Sequence, residues 1–359
     1  MRNRATGVTT LINRSLAGTE SSRGVRGLKL SAGGRYALFQ SLGNDLTVGD
    51  TDNADDVFLR DLQTGTTTRL TVRPDGSQVL DPFGQTGAMY DISADGSVLF
   101  SSPFNLAVDG IYDGIDRLFL HNPQTGVTRQ VLATVNFFVG AKLSPNGRWI
   151  IWVGCSGSGA TAMHDIYYYD VQPNASGGHD TGIIFSASAD PFPYGIGGPV
   201  SMSNDGRYVA FTMRSATLLS GLANSNYQVA VFDRNEIDPN LALTLASTGS
   251  SGAGNGPSFQ PVLSGDGRYV LFGTNAPNLT GDSAATIRAY VMVRDRVAGT
   301  TQVASRRVDG SNVWVDGVGG TFGHALSGDG AVLAFTPDVA NMGLPTTLGE
   351  FQVFAAPRP

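Results

Sequence analysis

Ser203-Asn-Asp-Gly-Arg-Tyr-Val-Ala-Phe211 and Ser264-Gly-Asp-Gly-Arg-Tyr-Val-Leu-Phe272 are one phrase written twice: a serine, a reverse turn built on glycine, then a strand closing on an aromatic residue. Four further copies begin at Ser31, Ser93, Ser144 and Ser327. Successive serines lie 62, 51, 59, 61 and 63 residues apart. A recurring period of this size marks one supersecondary unit stacked on copies of itself, so the chain reads as a single array.

Around each phrase the same pattern returns. In residues 24–72, Gly27-Leu-Lys-Leu30 is a short strand, and Ala32-Gly33-Gly34 turns it into the strand Arg35–Gln40. A polar loop, 41–55, leads to a third strand, Asp56-Val-Phe-Leu-Arg60, and a turn at Thr64-Gly65 opens a fourth, Thr66–Val72. Glycine at the turns supplies the positive φ that tight hairpins demand. Four short antiparallel strands per repeat make a propeller blade. The expected fold is therefore all-β, a six-bladed β-propeller forming one domain over 1–359. Its blades span 24–72, 88–134, 138–189, 197–248, 258–306 and 320–356. Imperfect alternation along the strands suits inner strands covered on both faces by neighbouring blades. No helix is expected.

The sixth blade offers a third strand, Glu350–Phe354, but no fourth. The segment Arg4-Ala-Thr-Gly7-Val-Thr-Thr-Leu-Ile-Asn-Arg14 matches Asp61 to Thr71 of the first blade. Residues 1–17 are thus expected to complete the last blade and close the ring, removing two exposed sheet edges.

Composition narrows the function. The 47 glycines are about 13% of 359 residues, against ~7% on average, as a turn-rich fold requires. A net charge of −6 argues against a nucleic-acid partner, which calls for a basic surface. Lysine occurs only at Lys29 and Lys142, and Cys155 is the single cysteine, so no intrachain disulfide forms. No apolar run approaches the roughly 18 residues of a membrane span, and no apolar segment follows Met1-Arg-Asn-Arg as a secretory leader would require.

The Ser-x-Asp-Gly-Arg-Tyr-Val-Ala-Phe phrase, with Asp-Val-Phe-Leu-Arg-Asp and Thr-Gly-Thr-Thr after it, resembles the TolB-like, WD40-like (PD40) β-propeller repeats of bacteria. The likeness covers essentially the whole chain. It implies a periplasmic or extracellular binding or scaffold protein, with the cytoplasm left open. Relatives of this type include scaffolds, propeller lyases, and propellers joined to peptidase domains whose catalytic serine lies in a separate α/β-hydrolase domain that this chain lacks.

Loop lengths vary most at 41–55, 101–115, 153–164, 212–227, 273–288 and 336–349, which a four-stranded blade gathers on one face. That face is the expected contact for a protein or glycan partner, with the chain a monomer. Two site readings accompany it. Asp50, Asp52, Asp55 and Asp56 pack hard oxygen ligands that suit calcium, or else form a solvated turn. Arg26, Tyr90, Asp91, Gln260, Trp314 and His324 lie on or near the inner strands, where they form a ligand-binding channel mouth or simply bond channel water. Catalytic groupings are poor: four histidines are scattered, and Gly154-Cys-Ser-Gly-Ser-Gly159 lacks the last glycine of a nucleophile elbow. The expected role is non-enzymatic binding without a cofactor beyond calcium. The alternative is a polysaccharide lyase or hydrolase using a metal, or His324 and Asp91, near the channel mouth.

Overall fold

The protein is seen in a computed structural model, which describes residues 6–79, 88–108, 110, 112–134, 138–156, 163–186, 196–214, 226–281, 288–307, 310–313, 315, 323–336 and 354–359. Each sequence repeat forms its own antiparallel sheet. The first joins β1 (Val25–Leu30), β2 (Tyr36–Ser41), β3 (Asp56–Asp61) and β4 (Thr66–Arg69) in chain order. The second joins β5 (Ala88–Ile92), β6 (Val98–Phe104), β7 (Tyr112–Asn122) and β8 (Val127–Thr134). The third joins β9 (Phe138–Leu143), β10 (Trp149–Ser156), β11 (Met163–Pro173) and β12 (His179–Ser186).

The fourth sheet holds β13 (Ile196–Met202), β14 (Tyr208–Met213), β15 (Gln228–Asp233) and β16 (Leu243–Leu245). A two-stranded hairpin follows, β17 (Thr248–Gly249) with β18 (Gly252–Ala253). The fifth sheet holds β19 (Ser258–Leu263), β20 (Tyr269–Thr274), β21 (Tyr290–Asp295) and β22 (Thr300–Val303). Among the described residues the sixth has three strands, β23 (His324–Leu326), β24 (Val332–Phe335) and β25 (Phe354–Pro357). By internal contacts the chain divides into two units, Met1–Ile150 and Ile151–Pro359, and the division falls within β10.

In each unit neighbouring sheets pack face to face. Tyr36, Leu38 and Leu59 of the first sheet share a core with Val98, Phe100 and Phe119 of the second. In the second unit, Ala210, Val229 and Val231 meet Val270, Phe272 and Met292, while Leu271 and Val291 meet Leu333 and Phe335. Phe39, Phe58, Phe100, Phe119, Phe211, Phe272 and Phe335 are among the fully buried side chains, each contributing about 1.5–3 kcal/mol by leaving water. Double-sided burial belongs to the middle strands: Ala37, Leu38 and Phe39 of β2 are fully covered, whereas β1 is largely exposed. The expectation of covered inner strands thus holds one strand further out.

Two one-turn helices stand where none was expected, α1 (Pro239–Ala242) and α2 (Pro277–Thr280). Both begin at a proline, whose fixed φ and missing N–H suit a first helical position. The fourth strand of the first repeat is shorter than read, ending at Arg69, and Val72 instead bridges Gln78.

Candidate ligand-binding site

The repeated phrase builds a rigid turn. Ser203 Oγ donates to Asp205 Oδ1 at 2.6 Å and accepts the Tyr208 N–H at 2.9 Å, while Asp205 Oδ1 also accepts the Arg207 N–H at 3.0 Å. Ser264, Asp266 and Ser327, Asp329 repeat these contacts. The Arg of the phrase then reaches across its own sheet to the aspartate ending the third strand. Arg35 pairs with Asp61 at 2.8 Å, Arg207 with Asp233 at 2.8 Å and Arg268 with Asp295 at 2.7 Å. The Arg268 hydrogen bonds hold the Asp295 carboxyl down at about 2.

The same turns tie repeat to repeat. Ala94 N–H donates to the Pro145 carbonyl at 2.8 Å, Asn204 N–H to Gly265 at 2.8 Å, and Gly265 N–H to Gly328 at 2.7 Å. Each bond joins the residue after one serine to the residue after the next.

Two residues before the serines of the first three repeats stand Lys29, Asp91 and Lys142. They are brought together: Lys29 Nζ lies 3.2 Å from Asp91 Oδ1, and Lys142 Nζ lies 3.8 Å from Asp91 Oδ2. Both lysines of the chain therefore converge on one carboxylate. Asp91 Oδ2 also accepts the Leu143 N–H at 3.3 Å, and Lys29 donates to the Tyr90 carbonyl. Burial pushes the Lys29 ammonium below its ordinary range, with Asp91 pulling it back. In the fourth repeat the matching residue, Ser201, takes the Leu263 N–H at 3.0 Å, so the position ties one inner strand to the next. The lysines escaped the sequence reading, yet their place two residues before Ser31 and Ser144 was the signal.

Of the other channel-mouth residues, Arg26 is exposed and pairs with Asp55 at 3.4 Å, joining the two residue sets that the sequence kept apart. His324, in the second unit, has its Nε2 at 2.6 Å from the Gln260 carbonyl. Burial lowers the His324 pKa and that hydrogen bond opposes it. Gln260 has φ 53°, in a bulge between Phe259 and Val262. Gly27 has φ 54° at the equivalent bulge of β1, so Gln260 carries strain of about 1–2 kcal/mol that glycine avoids. Trp314 lies outside the described residues, as do most of the 212–227 and 336–349 loops and the side chains of Cys155 and His164.

In the 41–55 loop, Asp50, Asp52 and Asp56 bring carboxylate oxygens within 4.8 Å of one another. Arg69 stands against them, 3.0 Å from Asp50 and 3.3 Å from Asp56, and Thr71 Oγ1 donates to Asp56. Burial drives the Asp50 carboxyl up to about 6 despite Arg69, and burial also raises Asp55 against the pull of Arg26. The donor set has the hard oxygens that calcium takes, and Arg69 already supplies one positive charge to it.

No protein-family model matches the chain, and no curated protein is similar to it in sequence. Solved structures do match its shape. An oligogalacturonate lyase in complex with manganese aligns at 11% identity and a TM-score of 0.53, over 87% of this chain and 70% of its own. A prolyl endopeptidase aligns at 13% identity and a TM-score of 0.54, over 93% of this chain but 39% of its own. TolB from Acinetobacter baumannii aligns at 15% identity and a TM-score of 0.43, over 84% of this chain and 59% of its own. At these identities the likeness to the lyase and the endopeptidase establishes the fold alone, and that fold is the β-propeller. Among the described residues no helix is long and apolar enough to cross a membrane.

Proposed function

We propose that the protein is a non-enzymatic binding module, a monomeric six-bladed propeller that recognises a protein or glycan partner outside the cytoplasm. One observation carries the reading. Asp91, the inner-strand carboxylate best placed for chemistry, is engaged by Lys29, Lys142 and the Leu143 N–H. A general base needs a free lone pair within reach of its substrate, whereas here the carboxylate ties three inner strands together. The loop face is the recognition surface, and the lysine pair, each about one-third exposed, gives the inner strands a net positive group for an acidic ligand. Ring closure by residues 1–17 belongs to the same proposal. It is supported by the sixth sheet, which has three strands among the described residues, and by Gly7, whose φ of 72° matches the 75° of the turn residue Gly65. Calcium at Asp50, Asp52 and Asp56 is the ion the donor set suits.

A second reading, an enzyme acting on polysaccharide, draws on His324, which burial keeps neutral near neutral pH. A glycan array probed with the wild type and with an Asp91→Ala/His324→Ala variant separates the readings. Binding retained by the variant assigns recognition to the loops, and binding lost assigns it to the inner strands. Cleavage of any bound oligosaccharide overturns the non-enzymatic role.

A further inference from the structure

The repeats contain their own control for a cleft that one of them leaves open. In the fifth repeat Arg296 follows the last residue of β21, lies 4.2 Å from the Tyr208 ring centre, and donates to the Gly267 carbonyl at 2.7 Å. In the sixth, Arg358 lies 3.6 Å from the Tyr269 ring centre and donates to the Gly330 carbonyl at 2.8 Å. Each guanidinium fills the gap between the aromatic residue of one repeat and the turn of the next. The remaining cleft beside Tyr269, Asp295 and Arg358 measures about 80 Å³.

The same position in the second repeat is Pro123. The equivalence is fixed by the turns: Gly299 N–H donates to Asp295, and Gly126 N–H donates to Asn122, each at 2.9 Å. Arg296 and Arg358 also give their backbone N–H to Arg268 and Ala331, a bond proline cannot make. With no guanidinium from Pro123, the cleft lined by Tyr36, Asp61, His121, Pro123 and Gln124 opens to about 450 Å³.

We propose that this cleft between the first and second repeats receives an arginine side chain from a partner peptide, in the place that Arg296 and Arg358 fill elsewhere. Tyr36 already has Arg35 at 4.8 Å, as Tyr208 has Arg207 at 4.8 Å and Tyr269 has Arg268 at 4.9 Å. In those two repeats a second guanidinium completes the ring's surroundings. Its charge is tolerated there because the first guanidinium is neutralised by Asp233 or Asp295, and Asp61 does the same for Arg35. Burial holds the His121 pKa down at about 4, so His121 adds no positive charge beside Arg35 at neutral pH. A guanidinium stacks on an aromatic face and donates in a fixed fork. Lysine reproduces only the charge. The site is separate from the inner-strand residues and stands whether or not those bind a ligand.

The test is titration of the intact protein with acetyl-Gly-Arg-Gly-amide, and with the same peptide carrying neutral citrulline, followed by calorimetry. The arginine peptide is expected to bind at least tenfold more tightly than the citrulline peptide. Pro123→Arg, which fills the cleft from within, is expected to weaken that binding at least tenfold and to raise the melting temperature, while Pro123→Ala retains it. Equal binding of the two peptides, no binding of the arginine peptide, or unchanged binding in Pro123→Arg overturns the proposal.

Discussion

The Tyr208 ring lies so close against Gly267 that a β-carbon there would stand 2.8 Å from Tyr208 Cγ and 3.1 Å from its Cβ. Tyr36 approaches Gly96 and Tyr269 approaches Gly330 in the same way. The turn glycine of each of these repeats is therefore demanded twice, by its positive φ and by the aromatic residue of the repeat before it.

That double demand separates two alanine substitutions. Gly267 and Gly299 have nearly the same φ, +70° and +69°, but nothing lies within 4 Å of a β-carbon at Gly299. Gly299→Ala is expected to destabilise by about 1–2 kcal/mol, the penalty of a left-handed L-residue. Gly267→Ala adds an overpacking penalty of about 1–3 kcal/mol. Urea unfolding of the two variants measures the difference, and equal losses would show that Tyr208 does not rest on the turn.

Two aspartates predict opposite responses to acid. The Asp295 carboxyl is held at about 2, below its ordinary 3.8, so the stability it contributes is present above pH ~4 and lost as pH falls toward 2. Asp50 is raised to about 6. Its folded form therefore takes up a proton first, and stability falls as pH rises from ~4 to ~6. Melting temperatures between pH 3 and 7 are expected to show Asp295→Asn with a shallower acid loss. Asp50→Asn is expected to lack the decline between pH 4 and 6. Calcium added at pH 7 is expected to raise the wild-type melting point and leave Asp50→Asn unmoved, with chelator reversing the rise.

Removing the carboxylate that joins the two lysines tests its role as a tie. Asp91→Ala is expected to destabilise by about 1–3 kcal/mol, because it strands the Leu143 N–H and the half-buried Lys29. Asp91→Ser, which copies the Ser201 arrangement, should recover part of that loss by keeping an acceptor. Chemical denaturation ranks the three proteins, and a serine variant no better than alanine would remove Leu143 from the account.

The fold was legible because the Ser-x-Asp-Gly turn is local chemistry. Every contact from Ser203 to Tyr208 spans five residues or fewer, so the sequence window that contains the turn contains its cause. The contacts that define the sites were less visible. Arg35 and Asp61 are 26 residues apart, and Lys29 and Asp91 are 62, distances at which pairing depends on sheet order. The single substitution that opens the Tyr36 cleft, proline at 123 where the fifth and sixth repeats carry arginine, gains meaning only once Arg296 and Arg358 are seen stacked. Arg26 and Asp55 were assigned to different sites for the same reason, since their meeting depends on how β1 and β3 sit in one sheet.

Closure of the ring by the N-terminal segment has one direct measurement. In the first sheet Arg60 faces Thr67. Matching Val332↔Pro357 to Tyr36↔Asp61 makes Ala356 the counterpart of Arg60, and Gly7 as the counterpart of Gly65 makes Thr9 that of Thr67. In a Cys155→Ser background, Thr9→Cys with Ala356→Cys is expected to oxidise to an intramolecular disulfide as readily as the control pair Arg60→Cys with Thr67→Cys. A control that cross-links while the Thr9/Ala356 pair remains reduced would contradict the closed ring.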